Sequence, residues 1–84
     1  MTFQERLQRC CDRGDLTVAD LARWFDRPYP TVRSWLTQGW EPGGGPVTRR
    51  RMEDRLARLE TIVRSTELRK LSMRERAERL QELA

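Results

Sequence analysis

Eighty-four residues suffice for one domain of the smallest self-supporting kind, because so short a chain buries only about 60% of its unfolded surface, and a substrate cleft walled by two domains is excluded. With 37% hydrophobic and 36% charged residues and a mean hydropathy of −0.84, the composition suits a packed helical core. No run approaches the roughly 18 apolar residues of a membrane span and MTFQERLQRC lacks the apolar stretch of a signal peptide, so a cytoplasmic chain is expected.

Thr2 and Glu5 stand at capping-box spacing, and Phe3, Leu7, Cys10 and Cys11 share one face of a helical period, which predicts a first helix over about 3–12. Gly14 is placed to end it as a left-handed C-cap. Cys10 and Cys11 are neighbours, a spacing that fits neither a zinc knuckle nor a redox pair, and they read as reduced core thiols. Thr17 caps a second helix with Asp20 three residues on, and that helix runs to about Phe25 with Leu16 and Leu21 as its staple.

Asp26-Arg27-Pro28-Tyr29-Pro30 cannot lie inside a helix, but Pro30 is tolerated in a first turn, so a third helix follows to about Gln38. Gly39 closes it. Trp40-Glu41-Pro42-Gly43-Gly44-Gly45-Pro46 has no periodicity and reads as a loop that Trp40 pins to the bundle. Met52, Leu56, Leu59 and Val63 restore the helical period, predicting a fourth helix over about 48–64 with Thr48 as its N-cap and Trp24 packed beneath it. Leu68 and Leu71 belong to a short turn or extend the last helix backwards. Ser72 and Glu75 form a further capping box, opening a last helix with Ala77, Leu80 and Ala84 on one face and a solvated charged face that includes Arg76. That narrow stripe folds back on the fourth helix or pairs with a second chain.

Seventeen Lys+Arg against 13 Asp+Glu give +4 and a pI near 10.0. The excess is local: residues 1–26 hold four Arg against five acids, residues 27–51 hold five Arg against Glu41 alone, and residues 52–84 hold eight basic residues against seven acids. Arginine forks suit phosphate and guanine edges, although a GC-rich genome produces the same bias. Histidine is absent, which removes the commonest general base and imidazole ligand, so no enzyme, metal or cofactor is expected.

Residues 17–36, TVADLARWFDRPYPTVRSWL, overlap this basic window and resemble the helix-turn-helix DNA-binding domain of bacterial and phage regulators. Ala22 takes that family's small position, Leu21 and Phe25 flank it, and Val32 and Trp35 are the two anchors of the second helix. The family's turn glycine is replaced by Asp26 and followed by Arg27, so the prolines stiffen this turn. The resemblance implies duplex DNA read through the major groove by a small transcriptional regulator. Together with the helices read above, an all-α bundle of about four to five helices is expected, with residues 1–64 as the DNA-binding domain and residues 65–84, by their narrow apolar stripe, as a C-terminal helical extension for self-association.

With Val32, Trp35 and Leu36 buried, the other face of the third helix carries Tyr29, Arg33, Ser34 and Thr37 and no carboxylate. Arg33 suits guanine O6 and N7, Tyr29 and Thr37 suit phosphate or a thymine methyl, and Thr31 near the helix start suits phosphate, with Arg27 beside them in the turn. An ordinary solvated face with Arg33 in an ion pair reads equally from the same residues. Arg49, Arg50 and Arg51 form a second basic element at a helix N-terminus, where phosphate is favoured unless Glu53 and Asp54 compensate the charge. Two other functions share the layout. Phage small terminase subunits follow a helix-turn-helix with a helical hairpin, and a virion adaptor would keep the fold while binding phage structural proteins.

Overall fold

In the computed structural model, which describes residues 1–83, helix starts follow side-chain caps. Thr2 opens α1 (Phe3–Gly14), its hydroxyl accepting from the Glu5 amide at 3.2 Å while Glu5 accepts from the Thr2 amide. Thr17 and Asp20 do the same for α2 (Val18–Phe25). Pro28 precedes α3 (Tyr29–Thr37), and α4 (Gly45–Ser65) follows a loop. A 3-10 turn at Leu68–Lys70 leads to α5 (Met73–Leu83), opened by Ser72 and Glu75. The result is a small all-α bundle, as expected, with no strand among the described residues. Ala84, expected on the apolar face of α5, lies outside the described residues.

Three expectations about ends and loops are corrected, and one about the core. Gly14 is not the left-handed C-cap: Asp15 takes that conformation at φ 53°, and Gly14 is the last helical residue. A Cβ on Gly14 would stand 3.1 Å from Leu16 Cγ and 3.2 Å from Val63 Cγ1, so its missing side chain serves the packing of α1 on α4. Asp26 is left-handed in the same way, at φ 53°, doing at the α2–α3 turn what glycine does elsewhere. Thr48 does not cap α4. Gly44 does, because Pro46 is compatible with a first turn and lets the helix begin earlier. Trp40 does not pin the loop, being 62% exposed; Pro42 is the buried loop residue instead. Leu36, expected in the core, is half-buried.

The core sits between α1, α2, α3 and α4. Trp35 stacks edge-on against Phe3 and Phe25, each centroid 5.5 Å away at interplanar angles of 83° and 89°. Leu7, Leu21, Val32, Leu56 and Leu59 are fully enclosed around them. Beneath α4, Trp24 Nε1 donates to the Arg55 carbonyl at 3.0 Å while Arg55 donates back to the Trp24 carbonyl at 2.6 and 3.2 Å. The Arg55 guanidinium lies 4.4 Å from the Trp24 ring centroid, so one pair of residues ties α2 to α4 through hydrogen bonds and a cation–π contact.

The segment after residue 64 enters the same core. Leu68 is fully buried against α1, Leu80 is buried, and α5 lies against α2 rather than α4. Arg76, expected on a solvated face, is 5% exposed. Its guanidinium donates to the carbonyls of Leu68 at 3.0 Å, Leu71 at 2.9 Å and Asp15, where the end of α1 meets the 3-10 turn; the Leu68 carbonyl also accepts from the Leu71 amide, so Arg76 is the donor for the Leu71 and Asp15 carbonyls. Between α2 and α5 runs a groove of about 720 Å³ lined by Trp24, Met73, Ala77 and Leu80, with Asp20, Arg23, Arg74 and Glu78 among its charged residues.

Candidate nucleic-acid interface

The α3 face is set by what the helix buries. Val32 and Trp35 are in the core, so the 3.6-residue period turns Thr31, Arg33 and Thr37 to solvent, with Tyr29 50% exposed and Ser34 half-buried. Position along the axis is held at both ends. At the C-terminal end Gln4 Nε2 donates to the Leu36 carbonyl at 2.7 Å, capping a carbonyl that the helix leaves without a partner. Gly39 then turns the chain at φ 68° directly over Gln4, where a Cβ would stand 3.0 Å from Gln4 Oε1. At the N-terminal end the left-handed Asp26 and Pro28 fix the angle between α2 and α3.

Hydrogen bonding divides the candidates. Ser34 Oγ donates to the Pro30 carbonyl at 3.0 Å and Thr37 Oγ1 to the Arg33 carbonyl at 2.9 Å, so both hydroxyl protons are spent within the helix and their oxygens present acceptor capacity. Arg33 is exposed and makes no ion pair among the described residues, and no carboxylate shares its face of α3. Arg27 is half-buried, with Nη1 donating to the Asp26 carbonyl at 3.1 Å, and so rests on the turn.

Arg49, Arg50 and Arg51 lie on α4, one turn further in than expected, because that helix starts at Gly45. They are therefore not at the helix N-terminus, and the expected meeting of guanidinium and free backbone N–H at one place is corrected. Compensation by Glu53 is corrected too: Glu53 pairs with Arg6 at 2.7 Å, and it is Glu41 from the loop that takes Arg49, at 2.5 Å. Arg50 and Arg51 are exposed and form no ion pair among the described residues. Both α3 and α4 pack on α1 and α2, so the two basic elements are mounted on the same pair of helices.

Sequence reasoning missed Glu41 as the partner of Arg49, since they stand eight positions apart across irregular loop and helix and no period links them. It also missed a second group of arginines, Arg9, Arg13 and Arg64, because α1 belongs to a stretch with an acidic balance and only folding brings it beside the end of α4. The cysteines are free; burial pushes the Cys10 thiol up to about 11 and Cys11 up to about 12, so both are neutral at physiological pH and poor nucleophiles. No helix among the described residues is long and apolar enough to cross a membrane, and no His/Cys/Asp/Glu group among them is placed to hold a metal ion. No family model, curated protein or solved structure matches the chain.

Proposed function

We propose that the chain is a sequence-specific duplex-DNA-binding protein that works in the cytoplasm as a small bacterial or phage transcriptional regulator, with α2 and α3 as its helix-turn-helix and α3 in the major groove. The observation that carries this reading is the outer face of α3, where Arg33 stands uncompensated among Tyr29, Thr31, Ser34 and Thr37 on a helix locked by buried Val32 and Trp35. A guanidinium fork needs a fixed backbone to meet O6 and N7 of one guanine, and the aromatic contacts of Trp35 with the Gln4 cap supply it. Ser34 and Thr37 oxygens suit the exocyclic amino donors of adenine or cytosine.

Phosphate contacts then fall to Thr31 and to Arg50 and Arg51, while Arg27 and Arg49 must first give up internal partners. Self-association belongs to residues 65–84, and Met73, 65% exposed beside the α2–α5 groove, supports a second copy as the occupant of that groove. Light scattering on the pure protein tests the reading. Adding a duplex of about thirty base pairs at low salt is expected to give a complex whose mass is the sum of the duplex and a protein dimer. A duplex that leaves the protein's mass unchanged at low salt would overturn DNA binding.

A further inference from the structure

Folding gathers a second set of cations away from α3. A cleft of about 220 Å³ between α1 and the C-terminal half of α4 is lined by Arg6, Arg9, Arg13, Glu60 and Arg64, with Cys10 and Val63 completing it. Its single carboxylate is already committed. Arg6 grips Glu60 through Nη2 at 2.6 Å and Nε at 3.2 Å and reaches Glu53 through Nη1 at 2.7 Å. Arg9, Arg13 and Arg64 form no ion pair among the described residues. Arg64 Nε donates to the Glu60 carbonyl at 3.2 Å, which holds that guanidinium at the rim.

Four guanidiniums against one carboxylate leave the lining strongly positive, and the fields overlap. Arg6, Arg64 and Arg9 all draw the Glu60 carboxyl below its ordinary range, while Arg6, Arg13 and Arg64 all act on the Cys10 thiol. Arg13 and Arg64 also stand in the last turns of their helices, where cations complement the carbonyl ends. Arg9 lies a turn further back, where that benefit fades, and its field reaches the Glu5 and Glu60 carboxylates without forming an ion pair with either. The cleft has room for about seven waters at roughly 30 Å³ each, enough for a phosphate or diphosphate group with the rest of its molecule in solvent.

We propose that this cleft is a phosphate-binding site in which Arg9, Arg13 and Arg64 take the oxygens of a phosphate or diphosphate group. Guanidinium forks match phosphate oxygens in pairs, and a doubly charged group offsets the mutual repulsion among the three guanidiniums. None of the lining residues comes from α3 or from the Arg49–Arg51 turn, so the site is additional to the DNA-reading face. The group belongs to a free phosphorylated compound or to a nucleic-acid backbone.

Inorganic pyrophosphate is the probe, titrated calorimetrically into the full chain at constant ionic strength. Wild type and Arg33→Ala should bind it alike, and Arg9→Gln/Arg13→Gln should weaken binding about tenfold or more, with Arg64→Gln as the second variant. The Arg9 and Arg13 side chains make no hydrogen bond among the described residues, so these substitutions leave the fold's own bonds intact. Heat no greater than that of sodium chloride at matched ionic strength, or wild-type affinity in both variants, would overturn the site. Duplex titrations of Arg9→Gln/Arg13→Gln identify the source. A parallel loss of duplex affinity assigns the phosphate to a nucleic-acid backbone, and an unchanged one assigns it to a free compound. Failure of Arg33 to read sequence leaves all of these outcomes standing.

Discussion

Replacing Arg76 by alanine removes the one side chain that joins the end of α1, the 3-10 turn and α5. Three carbonyls lose a charged donor: Leu68, whose side chain is fully buried, Leu71, and Asp15 at the left-handed end of α1. Hydrogen bonds from a charged donor contribute about 1.5–3 kcal/mol each, but removing the guanidinium also removes its own desolvation cost, and water reaches Asp15. A net loss of about 3–5 kcal/mol follows from three such bonds once that desolvation cost is deducted. An 84-residue domain holds about 4–13 kcal/mol in all at roughly 0.05–0.15 kcal/mol per residue, so Arg76→Ala is expected to consume from about a fifth of the stability up to all of it. Urea unfolding followed by circular dichroism measures the loss, and the thermal midpoint should fall by more than about 12 °C. Arg76→Met keeps the stem and separates packing from hydrogen bonding. A loss below about 1 kcal/mol for Arg76→Ala would refute the reasoning, since the carbonyls would then have been satisfied without it.

Trp35→Ala empties the centre of the aromatic cluster and is expected to cost about 3–5 kcal/mol, measured by the same unfolding curves. Gly39→Ala puts a Cβ at positive φ, so a loss of about 1–2 kcal/mol is expected, and most of it should persist in the Gln4→Ala background because the strain lies in the backbone rather than in the contact with Gln4 Oε1. Stability should also fall at both ends of the pH scale. The hydrogen-bonded Arg6 fork holds the Glu60 carboxyl below its ordinary 4.5, so that contribution is complete above about pH 4.5 and is lost as pH falls through the lower folded value. Burial raises the thiols from 9.0 to about 11 for Cys10 and about 12 for Cys11, so their contribution is complete below pH 9 and lost as pH rises through those values; Cys10→Ala/Cys11→Ala should flatten the alkaline limb.

Periodicity and capping chemistry located α1, α2, the body of α4 and α5, because both act within four residues, while α3 was placed by the proline break before it and Gly39 after it, and the start of α4 was placed about three residues late. Met52, Leu56, Leu59 and Val63 all enter the core as their spacing required, and the three capping boxes at Thr2, Thr17 and Ser72 all form. The outer face of α3 followed from the same arithmetic once Val32 and Trp35 were taken as anchors. What was not readable depends on contacts between distant segments. Nothing near Arg76 in sequence marks it as buried; its burial comes from three carbonyls that converge only after α5 docks on α2. Trp40 and Pro42 exchange roles for a related reason, since an irregular loop has no period to say which apolar side chain points inward. Likewise the state of each arginine in the candidate interface, Arg49 held by Glu41 and Arg33 by none of the described residues, is a property of the folded surface.

The most direct test of the central claim is a pair of titrations, wild type and Arg33→Ala, each on a selected duplex and on a scrambled duplex of the same length at several salt concentrations. Arg33→Ala is expected to lose about 1–3 kcal/mol on the selected duplex and almost nothing on the scrambled one, with the salt slope unchanged. Neutralising Arg50 and Arg51 instead should weaken both duplexes alike and flatten the slope of log K against log salt by roughly 0.9 for each phosphate no longer neutralised. Equal losses on both duplexes with a flatter slope for Arg33→Ala would contradict the account, because Arg33 would then be one more phosphate ligand and α3 would not be reading sequence.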